Sequence, residues 1–389
     1  MGGNHIIYGG CEMKILFLSH TYWDSVFRVG SHQLANVYLK NGHEVYYIST
    51  PLSFFHCFGK LRGNKHIIKR FHTRKAKKEN GLFTYIPLKI IPFKNIYFFR
   101  NKKNAITNDL IFMYSFNKIK RKYDIDNFDL VLIDSPHLAF ILNNIKYKKC
   151  IYRITDFYSM MEKKYFKEVE EVEKYIIENK ADYIIATSLP IKSYFDKKYN
   201  IECKLFENGV DILNFDRKVE KPQEYIGRKH IVVYVGSLDK RFNWDYLLYS
   251  VINNPNINFF IIGPNDKKIQ MNYSNLFLLG SRNYEDVPKY LKYADVAILP
   301  LTKSIENNGR SPMKLYEYGI CGLPVITNYS EEVARRNLSF VFLTKNNKEF
   351  SDKIKEIIFD SNIESIRLQA YKDSKKHDWT EIANAILNI

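Results

Sequence analysis

The amino-acid sequence predicts an α/β protein made of two Rossmann-like parallel-sheet domains that face each other across a cleft. Short apolar runs bounded by turn residues alternate with segments of helical periodicity, which is the pattern of βαβ units. A polar stretch without periodicity occupies 214–230, and the alternation starts again after it. The length of 389 residues also suits two domains better than one.

The first domain is predicted at 13–215, because the patterned sequence begins at Met13. Its predicted strands are 14–19, 44–50, 129–135, 149–156 and 182–188. Its clearest predicted helices are an amphipathic one at 31–43, closed by Asn41-Gly42, and a long charged one at 161–180. The apolar strands are expected to be buried on both faces of an open sheet.

The second domain is predicted at 231–370, after a linker at 216–230. Its predicted strands are 231–237, 258–264, 276–281, 295–301 and 324–327. Its predicted helices are 243–253, 284–293 and 312–320. Ligands of open α/β sheets bind at the carboxyl ends of the strands, so the site is expected in the cleft between the two sheets.

Charge and composition restrict the class of protein. The formal net charge of +17 attracts polyanions such as nucleic acid, an anionic membrane or a phosphorylated ligand. No apolar run approaches the roughly 20 residues that cross a bilayer. The five cysteines form no CxxC pair, which argues against a zinc knuckle and for reduced thiols in the cytosol.

The strongest local signal for chemistry is the start of the helix predicted at 312–320. Ser311 and Pro312 read as a hydroxyl N-cap followed by proline at the first helical position. Lys314 lies in the first turn, where a cation is unfavourable unless an anion binds the same helix end. Gly309 and Arg310 would allow close approach and add charge, so the segment predicts a diphosphate site. The alternative is an ordinary surface lysine on an amphipathic helix.

Four pieces of the second half, in order, resemble the nucleotide-binding domain of GT-B glycosyltransferases. They are 234–247, 261–264, 278–301 and 311–326. Within that class, SPMKLYEY and GSLDKRFNWDYL most resemble the bacterial exopolysaccharide and teichuronic-acid transferases, a group that includes the xanthan glucuronosyltransferase. The resemblance implies that 371–389 packs back onto the first domain as a helix. It also implies transfer of a sugar from a UDP- or GDP-sugar to a saccharide or lipid-linked acceptor in cell-surface glycan synthesis, with no cofactor or metal.

The resemblance also implies roles for individual residues. Glu317 matches the glutamate that binds the donor ribose, and Lys314 matches the lysine that stabilises the leaving diphosphate. Other donor-side positions are the loop Gly236, Ser237 and Leu238, then Arg241, the nucleobase positions Ser281 and Arg282, and Arg310, Ser311 and Met313. Retaining members carry a second glutamate where this chain has Gly309, and a Lys-Gly pair is missing after Arg241. These departures favour an inverting reaction.

An inverting transfer needs a general base on the first domain. Asp156 ends a predicted strand and resembles the catalytic aspartate of the xanthan glucuronosyltransferase group. It could instead cap the following helix, and Asp134 is the alternative base. His20, Gly30 and His32 are candidates on the acceptor side, with His32 otherwise a polar residue near a helix cap. For His137 the same two alternatives apply as for His32. The Asp-Ile-Asp run at 124–126 is interpreted as a loop rather than a metal motif.

A basic surface is predicted on the first domain from two segments. Residues 60–78 carry nine lysines or arginines and no acid, and 93–104 add further basic and aromatic residues. They could form a solvated loop, bind nucleic acid or hold the protein on an anionic membrane. The family resemblance favours the membrane, so the expected location is cytoplasmic, peripheral on the inner face of the plasma membrane. A sugar-nucleotide epimerase of the same fold and a basic nucleic-acid-binding protein remain the alternative functions.

Overall fold

The computed structural model describes residues 12–53, 70, 74–89, 110–158, 166–264, 272–304, 307 and 309–389. Two parallel-sheet domains account for this part of the chain, as the sequence predicts. Each central strand is an apolar run buried on both faces: in Lys14–Ser19 every residue after the first is buried. Continuous burial of this kind requires helices on both sides of a parallel sheet.

The strands of the first domain are β1 (Lys14–Ser19), β2 (Glu44–Ser49), β3 (Leu52–Ser53), β4 (Lys77–Glu79), β5 (Leu82–Tyr85), β6 (Leu88–Lys89), β7 (Asn127–Ile133), β8 (Lys146–Ile154), β9 (Tyr183–Ala186) and β10 (Lys204–Leu205). Within the described residues, its main sheet has the strand order β10-β9-β8-β7-β1-β2-β5-β4. All neighbours pair in parallel except β4 and β5. β3 and β6 pair with each other apart from the main sheet. Because β1 lies between β2 and β7, the chain order reverses there and leaves a crevice at the carboxyl edge.

Helices cover the faces of the first sheet. They are α1 (Gly30–Lys40), α2 (Leu110–Tyr123), α3 (Phe166–Asn179) and α4 (Leu189–Tyr199), with a 3-10 helix at Pro136–Asn144. α1 ends where the sequence predicts, because Gly42 takes a φ of 85°, a conformation that glycine adopts without strain. The first residues of the long helix predicted at 161–180 lie outside the described part of the chain.

The strands of the second sheet are β11 (Ile231–Val235), β12 (Asn258–Ile262), β13 (Leu276–Gly280), β14 (Val296–Leu299), β15 (Val325–Asn328) and β16 (Val341–Thr344). Within the described residues this sheet is fully parallel, in the order β13-β12-β11-β14-β15-β16. Its helices are α6 (Trp244–Asn253), α7 (Val287–Lys292), α8 (Met313–Ile320), α9 (Glu331–Arg336), α10 (Asn347–Ile358) and α11 (Ile363–Ser374). The helix predicted at 284–293 is shorter, since Tyr284–Asp286 is a 3-10 turn before α7. β11 lies between β12 and β14, so this sheet too has a crevice at its carboxyl edge.

The connection between the domains is held against the second domain. A short helix, α5 (Ile212–Phe215), and a 3-10 turn at Gln223–Tyr225 lie in it. Tyr225 is fully buried in the core of the second domain, and Glu224 pairs with Arg282 at 3.2 Å. The predicted linker is therefore anchored to the second domain at Glu224 and Tyr225.

The C-terminal helix α12 (Trp379–Leu387) crosses back onto the first domain, as the resemblance implies. Its buried residues Trp379 and Ala383 belong to the hydrophobic cluster that α1 and β1 form. The hydroxyl of Tyr38 donates to the carbonyl of Ala383 at 3.1 Å. This helix ties the end of the chain to the domain in which the chain starts.

Several surface predictions concern the first domain. Most of 60–78 and all of 93–104, the two segments of the predicted basic surface, lie outside the described residues.

The Asp-Ile-Asp run at 124–126 is a loop, as predicted. Asp124 pairs with Lys14 and Asp126 pairs with Lys120, and these four side chains lie near the surface. Among the described helices, none combines the length and the apolar character that a membrane span requires.

Candidate active site

A cavity of about 450 Å³ lies between the carboxyl edges of the two sheets. The loops that follow β1, β7 and β8 form its first-domain wall, and the loops that follow β11 to β14 and the start of α8 form the opposite wall. Its charged lining consists of Arg28, Arg153, Arg241, Arg282, Arg310, Lys314, Asp134, Asp156 and Glu317. The excess of cations suits an anionic ligand.

Most of the site residues that the sequence predicts line this cavity. They are Gly236, Ser237, Arg241, Ser281, Arg282, Arg310, Ser311, Met313, Lys314, Glu317, His20, Gly30, Asp156 and the alternative base Asp134. Leu238, His32 and His137 are not among the lining residues. The side chain of Leu238 is buried in the core of the second domain instead, and its backbone N–H donates to the carbonyl of Pro264 at 3.3 Å.

Lys314 and Glu317 project from α8 into the cavity at positions i and i+3, one turn apart on the same helix face. Burial lowers the pKa of the Lys314 ammonium, and the neighbouring Glu317 opposes that shift. Burial likewise raises the pKa of the Glu317 carboxyl, while Lys314 lowers it. A half-buried ammonium at the positive end of a helix gains from an incoming anion.

Glycines bring backbone close to the Lys314 stem. A Cβ on Gly236 would lie 2.7 Å from Cε of Lys314, and a Cβ on Gly263 would overlap the Gly236 carbonyl. The loop after β11 therefore packs tightly against both the loop after β12 and the lysine. A side chain at either position would force these loops to move.

The predicted N-cap at Ser311 is wrong. Pro312 occupies the cap position of α8, and no side chain caps it. The Ser311 hydroxyl instead accepts from the backbone N–H of Asn208 at 3.0 Å and from Nη2 of Arg336 at 2.8 Å. The Ser311 hydroxyl thus forms hydrogen bonds with residues of both domains, and these tertiary contacts position the start of α8.

Two arginines predicted on the donor side already have acidic partners. Arg241 binds Asp239 through Nε at 2.8 Å and through Nη2. Burial alone would raise the pKa of Asp239, but the hydrogen bonds from Arg241 lower it to about 2. Arg282 donates to Glu224 at 3.2 Å and to the Tyr290 hydroxyl at 3.0 Å. The Arg282 side chain thus holds the interdomain connection, and it lines the cavity together with Ser281.

Asp156 lies at the carboxyl end of β8 and faces the second domain. Its Oδ1 accepts from Nε of Arg310 at 3.2 Å, and its side chain is 14% exposed. The helix that it could cap lies outside the described residues. Gly309, beside Arg310, packs so closely on Phe157 that a Cβ would overlap the phenyl ring. This contact leaves no room for a side chain at 309 in the present arrangement of the domains.

The alternative base, Asp134, is more enclosed. Its side chain is 2% exposed and pairs with Arg153, equally buried, at 3.0 Å. Arg153 also donates through Nη2 to Oδ1 of Asn208 at 2.7 Å. A general base must contact the acceptor hydroxyl, and the geometry of Asp156 suits that contact better.

The histidines after β1 differ in their surroundings. Nδ1 of His20 contacts the Tyr158 hydroxyl at 3.1 Å, and burial lowers the pKa of His20. His32 accepts from the N–H of Val29 and contacts the carbonyl of Tyr22, and burial lowers its pKa to about 4. His32 is therefore a neutral residue of the α1 start, which is the structural alternative that the sequence leaves open.

Sequence reasoning missed Arg153 and Asn208, which both line the cavity. Arg153 is the one charged residue in the buried second half of β8, Cys150–Ile154, and that anomaly is the signal that could have found it. Asn208 stands in the Asn208-Gly209 pair of an irregular segment and gives no comparable signal. No cluster of three His, Cys, Asp or Glu side chains suited to a metal occurs in the described part of the chain.

Two family models match successive stretches of the chain. Residues 17–186 match the N-terminal domain of the glucuronosyltransferase GumK, and residues 216–377 match glycosyl transferases group 1. With the two facing sheets, the intervening cleft and the returning helix, these matches show that the chain has the GT-B fold and that both of its halves are similar to glycosyltransferases.

Individual relatives agree with that class. TuaH of Bacillus subtilis (strain 168), a glycosyltransferase assigned to teichuronic acid biosynthesis, is 24% identical over 188 residues. That match covers 45% of this chain and 47% of TuaH, so the chain spans about half the length of this curated relative. The predicted resemblance to the exopolysaccharide and teichuronic-acid group is confirmed.

Solved structures share the fold over nearly the whole chain. Sucrose-phosphate synthase from Thermosynechococcus elongatus superposes with a TM-score of 0.70 at 14% identity, covering 97% of this chain and 98% of its own. Anabaena Alr3699/HepE in complex with UDP-glucose gives a TM-score of 0.65 at 13% identity, with 97% and 99% covered. At these identities the likeness establishes the GT-B fold.

Proposed function

We propose that this protein transfers a sugar from a UDP-sugar to a saccharide or lipid-linked acceptor in bacterial cell-surface polysaccharide synthesis, with inversion at the anomeric carbon. One observation carries the proposal: a single cavity has Lys314 and Glu317 on its second-domain wall and Asp156 on its first-domain wall. The complex of HepE with UDP-glucose and the match to TuaH support uridine and a polysaccharide product.

The donor half of the reaction belongs to the second domain. Glu317 would accept hydrogen bonds from the ribose hydroxyls, since a carboxylate can accept two of them at once. Lys314 and the free N–H groups at the start of α8 would bind the diphosphate and stabilise the charge that develops as it departs. In this proposal the compensation of diphosphate charge comes from Lys314 and Arg310, and no metal is required.

The acceptor half belongs to the first domain. Asp156 would take the proton of the acceptor hydroxyl as that oxygen attacks the anomeric carbon and the bond to the diphosphate breaks. Arg310 has further N–H donors beyond the Nε that binds Asp156. Its guanidinium can therefore contact a diphosphate and Asp156 together and hold the base beside the donor.

Gly309 supports inversion over retention. The corresponding position of typical retaining members bears a glutamate, and here Phe157 fills the space into which a side chain would extend. A solved neighbour, trehalose-6-phosphate synthase, is described as transferring with retention. This chain would differ from it in stereochemistry while sharing the fold.

An NMR assay of the glycoside product tests the proposed reaction. With a UDP-α-sugar and a saccharide acceptor, we expect stoichiometric UDP release and a β-linked product. An α-linked product would contradict inversion. Conversion of the UDP-sugar to its epimer, without UDP release, would show the alternative epimerase instead.

We further propose that the first domain binds an anionic membrane surface, consistent with an acceptor held at the inner face of the plasma membrane. One exposed face of α2 supports this. Tyr114, Lys118, Arg121 and Lys122 recur at helical spacing and line one shallow depression, and Tyr114 is 77% exposed. A basic face with an exposed aromatic residue is typical of interfacial helices.

Liposome sedimentation checks this surface. The full chain should pellet with vesicles that contain phosphatidylglycerol, stay in solution with neutral phosphatidylcholine vesicles, and dissociate at about 1 M salt, where charges are screened beyond roughly 3 Å. The variant Lys118→Glu/Arg121→Glu should pellet less, while Lys353→Glu on the second domain should behave as the wild type. Equal binding to neutral vesicles, or tighter binding to random RNA, would contradict the membrane proposal.

A further inference from the structure

A chain of polar contacts joins the two domains along the wall of the cavity. Nη1 of Arg153 donates to Oδ2 of Asp134 at 3.0 Å, and Nη2 donates to Oδ1 of Asn208 at 2.7 Å. Asn208 donates to Ser311 twice, from its backbone N–H to Oγ at 3.0 Å and from Nδ2 to the carbonyl at 2.9 Å. The contacts thus lead from the edge of the first sheet to the residue three positions before Lys314.

Stability alone explains this arrangement poorly. Arg153 and Asp134 are each 2% exposed, and a buried ion pair often stabilises a fold no better than apolar residues of the same volume. The fold also makes room for the guanidinium, because a Cβ on Gly30 would overlap it. Because the desolvation of this ion pair is unfavourable, we expect the Arg153 guanidinium to have a role besides stability.

We propose that Arg153 is a positioning residue for donor binding. Arg153 fixes Asn208 by a hydrogen bond, and Asn208 fixes Ser311 by two more. Ser311 in turn fixes the position of the start of α8, the helix on which Lys314 lies. The inference rests on the proposed function, since it concerns the binding of a nucleoside diphosphate at the start of that helix.

The chemistry of each member suits this role. A planar guanidinium can reach acceptors on two different segments at once, which a lysine ammonium does less well. Asn208 offers both an acceptor and donors from one side chain. α8 lacks a side-chain cap, so its start depends on the contacts that Ser311 makes with Asn208 and, from the second domain, with Arg336.

Titration calorimetry with UDP on the full chain, together with thermal unfolding, tests the proposal. Arg153→Lys keeps the charge beside Asp134 and should raise the Kd for UDP at least tenfold. Tyr152→Phe is the matched control: it removes a buried hydrogen bond to Glu173 from the neighbouring residue of the same strand. That variant should lower the melting temperature and leave the Kd for UDP within twofold of the wild type.

A second variant and a double variant separate positioning from general destabilisation. Asn208→Ala spares the Arg153–Asp134 pair and should also raise the Kd at least tenfold, so it carries the test if Arg153→Lys does not fold. Arg153→Lys/Asn208→Ala should bind UDP no more weakly than the weaker single variant, because both changes break one chain of contacts.

The outcomes distinguish this inference from the proposed function. An unchanged Kd in Arg153→Lys and Asn208→Ala, with normal UDP binding by the wild type, would overturn only the positioning role. A loss of affinity in Tyr152→Phe equal to that in Arg153→Lys would overturn it as well. Failure of the wild type to bind UDP or GDP would refute the donor site and this inference together.

Discussion

Asp156→Asn is expected to reduce the kcat of sugar transfer by about 10²- to 10⁴-fold, the range that general-base catalysis contributes. Asparagine keeps the shape of the side chain and an oxygen that can accept from Arg310, but it cannot take up the acceptor proton. UDP affinity should stay within about threefold of the wild type, because the donor contacts lie on the other wall of the cavity. Initial rates of UDP release and UDP calorimetry measure the two quantities.

The matched control for this variant is Asp126→Asn. Asp126 lies near the surface before β7, at the opposite edge of the same sheet, and pairs with Lys120. It should transfer sugar at the wild-type rate. Near-normal turnover by Asp156→Asn would reassign the base, and loss of both turnover and UDP binding would make Asp156 a structural residue.

Lys314→Met should lower kcat/KM for the donor by about 10²- to 10³-fold, as expected when one preorganised donor to a developing anion is removed. Methionine replaces the apolar stem and removes the ammonium. The Kd for UDP should rise at least about tenfold, because a hydrogen bond to a charged group contributes roughly 1.5–3 kcal/mol. Uridine, which has no phosphate, should bind the variant and the wild type equally.

Lys353→Met serves as the control for that change. Lys353 lies on the outer helix α10 of the same domain and pairs with Glu356. Its kinetic constants should match those of the wild type. If Lys314→Met lost uridine and UDP binding alike, the lysine would support the fold of the pocket, contrary to a diphosphate contact.

The sequence predicts those parts of the fold that depend on local patterns. The apolar run of β1, the periodicity of α1 and the polar stretch before β11 each act over a few residues, and the structure shows the elements where they predict them. The sequence also predicts that Lys314 lies in the first turn of a helix, because this position depends only on neighbouring residues. Such features need no knowledge of distant partners.

Contacts between distant segments are what the sequence could not predict. The hydroxyl of Ser311 has the local chemistry of an N-cap. It accepts hydrogen bonds instead from Asn208, 103 residues away, and from Arg336. Arg282 has the chemistry of a ligand contact, yet Glu224, 58 residues away, binds it. For Ser311 the tertiary partners replace the local capping preference, whereas Arg282 makes its tertiary contact and still lines the cavity.

The crystal structure of the complex with UDP tests the central claim most directly. The account predicts the diphosphate at the start of α8 within hydrogen-bonding distance of Nζ of Lys314, with both ribose hydroxyls on the carboxylate of Glu317. UDP bound elsewhere on the chain, or a saturating soak that leaves Lys314 and Glu317 without nucleotide contacts, would contradict it.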